Sequence, residues 1–289
     1  MDARENPKLQ NWRLTIAYDG TDFQGWQVQP GLRTIQGELR AALGRITGET
    51  PLPQGSGRTD AGVHALGQVA SFALRAPIPA ENLRRALNRT LPASIRILDA
   101  RTARSSMFHA RHSAIAKTYE YRILRGSDCS PFLARYVYCF PWSIDLDALQ
   151  AAAQIFVGEH DFQSFAASDP DLTHRNPLTS EESGGVRDAE SKADSAESTV
   201  RTIYSSGWEE RLTEGGNLLV YCVNGNGFLH HMVRNLMGTM LDAGRGQIAL
   251  KEIPEILAAR RRSAAGPTAP ARGLFLVSVI YPPEEDSVS

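Results

Sequence analysis

The chain is short of cysteine, of lysine and of long apolar runs. Its 289 residues hold three cysteines, Cys129, Cys139 and Cys222, and no Cys-x-x-Cys pair. So sparse and odd a set excludes a disulfide framework and a thiolate zinc site, and leaves buried free thiols as the expectation. No apolar stretch approaches the roughly 20 residues that a membrane helix needs, and the first ten residues contain no apolar signal core. A soluble, cytoplasmic protein is therefore expected. Only 4 of the 31 basic residues are lysine; the other 27 are arginine. The guanidinium fork suits phosphate and stacks on bases, although a GC-rich gene produces the same bias. With 42% hydrophobic and 22% charged residues, the composition excludes a disordered or collagen-like chain.

The formal net charge of −1 conceals two opposed blocks. Residues 84–125 carry ten Arg or Lys and two acids, a net of +8; residues 126–200 carry four basic residues and thirteen acids, a net of −9. The basic block reads either as a docking surface for a polyanion or as a solvated face.

Residues 12–18 are rich in β-formers and read as a strand. Residues 34–47 place Ile35, Leu39, Ala42, Leu43 and Ile46 on one helical face behind Thr34 as N-cap. Strands follow over 68–74 and 95–100, with a helix over 79–91 between them. A short strand before Gly55 completes a β-α-β-β-α-β order, the split βαβ or ferredoxin-like unit. The order returns after Arg111: a strand over 117–124, a helix over 146–157 capped by Asp145, paired strands over 201–211 and 218–224, helices over 229–243 and 250–261, and a strand over 274–281. The expected fold is α+β: two ferredoxin-like halves, 1–110 and 111–283, whose sheets join around a central basic cleft. Residues 168–199 are rich in Ser, Glu, Asp, Gly and Pro and read as a mobile acidic insert. Residues 284–289 read as a polar tail.

One loop concentrates chemistry. Residues 55–67 read Gly55-Ser56-Gly57-Arg58-Thr59-Asp60-Ala61-Gly62-Val63-His64-Ala65-Leu66-Gly67. Four glycines permit unusual backbone angles and close approach of a ligand. A carboxylate in such a loop can attack an electrophilic carbon without a general base, and a neighbouring arginine would orient it. A capped turn with a surface Asp60–Arg58 pair is the plainer reading. Ala61 breaks the Asp-Thr/Ser-Gly pattern of aspartic proteases, and no Gly-Lys-Ser/Thr follows to make a phosphate loop.

Residues 57–64 resemble the active-site signature of the TruA family of tRNA pseudouridine synthases. Further matching blocks occur in order: Tyr18-Asp19-Gly20 with Phe23, Gly25, Trp26 and Gln27; Thr34-Ile35-Gln36; Ala110-Arg111 with Ser113-Ala114 and Lys117-Thr118-Tyr119; and Gly158-Glu159-His160-Asp161-Phe162. Gly227-Phe228-Leu229 with Met232-Val233-Arg234-Asn235 and Gly238, then Ala269-Pro270-Ala271 with Gly273-Leu274 and Leu276, extend the resemblance to about residue 281. It implies an isomerase that detaches a uridine from its sugar at N1 and rejoins it at C5, at tRNA positions 38, 39 and 40 in the anticodon arm. It implies no cofactor and no metal. Asp60 matches the essential carboxylate, Tyr119 the aromatic residue at the target base, Arg234 the partner of the carboxylate, and Arg58 the residue that helps evert the nucleotide. It also implies a homodimer in which each tRNA contacts both subunits. Two departures stand out: His112, where Phe is common, and the length of 168–199.

From the residues alone, Tyr119 can equally be a core tyrosine, and Arg234 can reach solvent from the edge of its apolar stripe. His230 and His231, read as adjacent helical residues, point about 100° apart and do not converge on an ion. Two rival functions remain: an RNA-binding or chaperone module that uses Arg84, Arg85, Arg89, Arg101 and Arg111 but not Asp60, and a glycosidase with Asp161 or Asp19 as second carboxylate.

Overall fold

A computed structural model describes residues 8–167, 198–213 and 216–283. All but the last two residues of the acidic insert, and the whole of the 284–289 tail, lie outside the described residues.

Among the described residues, ten strands form one sheet. They are β1 (Gln10–Tyr18), β2 (Gln54–Gly55), β3 (His64–Leu74), β4 (Ile95–Thr102), β5 (Ala116–Arg125), β6 (Tyr138–Phe140), β7 (Gly158–Asp161), β8 (Val200–Thr213), β9 (Gly216–Gly225) and β10 (Leu274–Ile280). The main path runs β4-β1-β3-β10-β5-β9-β8-β7, with β2 beside β3 and β6 beside β5. Five α-helices accompany them among the described residues: α1 (Ile35–Thr47), α2 (Ala80–Thr90), α3 (Leu146–Ile155), α4 (Met232–Gly244) and α5 (Ile253–Ala259).

The path contains the same antiparallel unit twice. In the first half the strands lie β4-β1-β3-β2, with α1 between β1 and β2 and α2 between β3 and β4. In the second they lie β10-β5-β9-β8, with α3 between β5 and β8 and α4 between β9 and β10. Each is a βαββαβ unit, as the element order in the sequence suggests. The halves join where β10 runs parallel to β3, through the pairs Phe275–His64 and Leu276–Ala65. A continuous apolar core follows from this arrangement, drawing Leu14, Ile16, Leu39 and Leu83 from one half and Tyr121, Tyr221, Leu236 and Met240 from the other.

Local chemistry sets the element ends. The Thr34 side chain accepts from the Gly37 N–H and starts α1, and Gly48 at φ +77° ends it. The Asp145 carboxylate accepts from the N–H groups of Asp147 and Ala148 at the start of α3. Two expectations fail. The active-site loop is shorter than 55–67, because β3 begins at His64, where Ala65, Val69 and Ala70 pack into the core. The helix expected over 229–243 starts only at Met232, because His231 takes a left-handed conformation, φ +60°, that the preceding residues cannot continue as a helix. The three cysteines are free and partly buried, and among the described residues no helix is long and apolar enough to cross a membrane.

Candidate active site

The loop between β2 and β3 is held from below by buried polar groups. Gln68, on β3, donates to the Gly57 carbonyl at 2.9 Å and accepts from the Ser56 hydroxyl at 2.7 Å. Lys117 of β5 donates to the Ser56 carbonyl at 2.6 Å, so the second half also grips the loop. The Tyr18 hydroxyl pairs with that of Thr59 at 2.8 Å. From the side, the segment after β1 packs against the loop backbone. The Trp26 N–H donates to the Thr59 carbonyl at 3.0 Å. A Cβ on Gly20 would lie 1.9 Å from the Val63 carbonyl oxygen, and one on Gly25 would lie 2.5 Å from that of Thr59. These glycines are therefore required by close approach, and Asp19-Gly20 and Trp26 support the loop.

This frame sets Asp60 at the seam between the halves. Arg234, on the first turns of α4, donates from Nη1 to Asp60 Oδ2 at 2.7 Å and from Nε to the Ala269 carbonyl at 2.8 Å. The two side chains are only 16% and 15% exposed, so the pair is a charge-assisted bond in a largely water-excluded place. Two fixed acceptors hold the guanidinium in place, and through Nη1 it holds one oxygen of the carboxylate. Gly238 makes the close approach possible: a Cβ there would lie 1.6 Å from the Pro267 carbonyl oxygen, on the segment that presents Ala269. Behind it, Arg262 and Thr268 both donate to Asn235 Oδ1, at 3.0 and 2.6 Å, while Asn235 Nδ2 donates to the Phe165 carbonyl at 2.7 Å.

Tyr119 lies on β5, buried, with its ring edge-on to Phe228 at 5.1 Å between centroids. Burial pushes its phenol well above the ordinary value, and the charges of Tyr18 and Asp60 push it the same way. The hydroxyl is thus held neutral, within electrostatic reach of Asp60. Tyr18 is raised to about 12, chiefly by burial, with Thr59 and Gln68 opposing. Arg58 sits exposed on the same loop.

The structure therefore brings Asp60, Tyr119 and Arg234 together and leaves Arg58 at the rim of the same loop. It also corrects the reading of the paired histidines. Because they precede α4 and His231 has positive φ, they do not diverge as helical neighbours would. His230 Nε2 lies 3.5 Å from Asp60 Oδ1 and His231 Nε2 lies 3.3 Å from Asp60 Oδ2. One nitrogen from each and a carboxylate oxygen all fall within 4.8 Å of one another. Burial pulls His231 below the ordinary imidazole value; His230, Arg234 and Arg262 add to this and Asp60 opposes it. His64, the last residue of the signature, is a packing residue. It is stacked on Phe275 at 4.6 Å, its Nδ1 accepts from the Gly20 N–H at 3.1 Å, and its Nε2 faces the Arg135 carbonyl at 3.0 Å. The carboxylates that a glycosidase would need are engaged elsewhere. Asp161 pairs with Arg260 at 2.9 Å on β7, and Asp19 bonds to Thr21 and Tyr136.

Sequence reasoning assigned no role to Gln68, Ser56, Asn235 or Arg262. A polar residue inside an apolar strand or helix was the available signal for the first and third, since such groups stay buried only when hydrogen-bonded.

A carboxylate held by an arginine from the opposite half, within electrostatic reach of a buried tyrosine, is the candidate site of this doubled ferredoxin-like fold. Comparison with known proteins narrows this. A sequence profile described as tRNA pseudouridine synthase matches residues 14–113 and 181–282. A protein of Solibacter usitatus named tRNA pseudouridine synthase A is 50% identical over 270 residues, covering 93% of this chain and 98% of that protein. Proteins of the same name are 42% identical in Maridesulfovibrio salexigens, over 94% of this chain and 91% of theirs, and 39% identical in Caldicellulosiruptor bescii, over 94% and 100%. The chain belongs to the tRNA pseudouridine synthase family, isomerases that convert uridine to pseudouridine in tRNA.

Proposed function

We propose that this protein isomerises uridine to pseudouridine at positions 38, 39 and 40 of the tRNA anticodon arm, with Asp60 as the catalytic carboxylate. The observation that carries the reading is the Asp60–Arg234 bond of 2.7 Å beside buried Tyr119. The reaction breaks the N1–C1′ bond, turns the uracil, and forms a C5–C1′ bond; the C5 proton leaves and N1 gains one. Atoms and electrons balance within one nucleotide. Asp60 either attacks C1′ or promotes loss of the base through a glycal. Arg234 holds and aims the carboxylate. Tyr119 packs on the target base and helps remove the C5 proton. Arg58 fills the gap left by the everted nucleotide, offsetting an unstacking cost of a few kcal/mol. On this reading the unit 1–110 brings Asp60 and Arg58, the unit 111–283 brings Tyr119 and Arg234, and the protein works in the cytoplasm as a homodimer with each tRNA touching both subunits.

The test is tritium release from tRNA labelled at uridine C5, comparing the wild type with Asp60→Ala. Release by the wild type alone, with tRNA bound by both, supports the reading. Binding without release by either favours an RNA-binding module. Equal release means that the carboxylate is misassigned. Mapping pseudouridine in the product tRNA checks the three positions.

A further inference from the structure

The two histidines that crowd Asp60 have no part in the isomerisation described above. His231 is one of two non-glycine residues with positive φ among the described residues, a backbone state that costs energy and persists where the surroundings impose it. Its effect is to turn the ring back over Asp60. The His230 ring lies against it, 4.0 Å between centroids. The distances to the carboxylate, 3.3 and 3.5 Å, are long for hydrogen bonds. Each histidine nitrogen faces a different oxygen of Asp60, and each spacing matches that of two donors across a shared ion. Bonds of about 2.0–2.1 Å at a tetrahedral angle put nitrogen and oxygen ligands about 3.4 Å apart.

We propose that Asp60, His230 and His231 form an inhibitory site for a divalent transition-metal ion of the zinc class, open in the free enzyme and closed by bound tRNA. Two imidazoles and one carboxylate are the donor set that suits such ions, and it leaves positions for water. The ion is not a resident cofactor. Metal on the carboxylate withdraws the lone pairs that the isomerisation needs and occupies the space of the target nucleotide. Two features keep the site weak enough to empty. Arg234 already holds Oδ2 and places a positive charge at the ion. His230 Nδ1 is buried with no hydrogen-bond partner, so the ring lacks the outer contact that usually stiffens a ligand. The site follows from donor geometry; its consequence for activity rests on Asp60 being the reacting carboxylate.

The experiment uses the full-length protein and Co2+ as a visible probe. Co2+ in a nitrogen–oxygen site of low coordination number absorbs far more strongly in the visible than the aqueous ion. The wild type is expected to develop such a band. Asp60→Ala, His230→Ala and His231→Ala are expected to lose it while still retaining tRNA on a filter, which reads out folding. A His109→Ala/His112→Ala variant, which removes the other close histidine pair, is expected to keep it. Adding tRNA to the Co2+-loaded wild type is expected to bleach the band. No band in the wild type, or a band untouched by all three substitutions, overturns the proposal; so does a band that tRNA leaves unchanged. Zn2+ is expected to suppress tritium release and EDTA to restore it, and release that is insensitive to Zn2+ while the band forms separates failure of the inhibitory role from failure of the site. The Co2+ band and its loss in the three variants do not depend on the isomerase reading; the tRNA and Zn2+ arms do.

Discussion

Arg234 makes two bonds with one planar group, and no other side chain can make both. Nε holds the Ala269 carbonyl and Nη1 holds Asp60. Lysine keeps the charge but has neither the fork nor the fixed plane. Arg234→Lys is therefore expected to lower kcat by about tenfold to a hundredfold, the worth of one hydrogen bond to a charged group, about 1.5–3 kcal/mol. KM should change little, because on the proposed reading the lost contact acts on the reacting carboxylate and not on the rest of the tRNA. A steady-state comparison checks this, and a rise in KM with kcat intact would place Arg234 in tRNA docking. Tyr119→Phe asks a different question. The ring and its edge-on contact with Phe228 remain, so the fold should keep its thermal midpoint. Tritium release should fall if the hydroxyl takes part in moving the C5 proton, and unchanged release would leave the ring as a packing surface alone.

At the scale of elements, much was legible and the exceptions have reasons. Helix α1 was readable because apolar spacing and Thr34 as N-cap agree. The second β-hairpin and the helix after Asp145 were readable on the same grounds. The start of α4 was not, because Leu229 fits the apolar period of the helix although its backbone lies outside it; the positive φ of His231 leaves no mark in hydropathy. The site was legible as a loop and not as an assembly. Asp60 and Arg234 stand 174 positions apart, and only the joining of the halves brings them together; the resemblance to a family, not the periodicity, linked them. The contacts that fix the loop lead to a sharp expectation. Gly25 has φ +79° and faces the Thr59 carbonyl, so Gly25→Ala strains the backbone and pushes the loop outward. A displacement of about 1 Å at a reacting group can cost on the order of a hundredfold in rate. A fall of that order in kcat, with a lower denaturation midpoint, is expected. Gly238→Ala should act in the same way from the other side, by forcing α4 away from Pro267 and pulling Arg234 off the carboxylate. A crystal structure of either variant with Asp60 and Arg234 still paired would refute this account of the glycines.

At the scale of the whole molecule, charge and the seam between the halves govern behaviour. The +8 counted over residues 84–125 overstates the free positive field. Arg84 and Arg85 both pair with Glu81, and Arg125 pairs with Glu210, two acids outside the block. Arg101 and Arg122 pair within it. Apart from the pair on buried Glu120, these are exposed pairs, which contribute little to stability and rearrange readily for phosphate. The logarithm of the tRNA affinity should still fall linearly with log salt, with a slope set by the phosphates neutralised. That slope should be smaller than ten basic residues would give, and filter binding across a salt series measures it.

The seam adds a dependence on pH. The two halves meet through a parallel ladder of two residue pairs, and His64 is in one of them. Burial holds its imidazole below the ordinary value, against the opposing charge of Asp19. The unfolded chain therefore binds this proton more readily than the folded one. The stability that neutral His64 contributes is fully present above about pH 6.5, the value of a free imidazole, and is lost as pH falls through the lower folded value. Protonation also takes from Nδ1 the lone pair that accepts from Gly20, the glycine pressed against the active-site loop. Stability and tritium release should thus decline together on the acid side. His64→Gln should lower stability at pH 8 but flatten the acid-side slope of the urea midpoint. Some slope must remain, because His109 and His231 are shifted in the same direction. Equal slopes in the variant and the wild type would remove His64 from this role and leave the acid sensitivity to the other two.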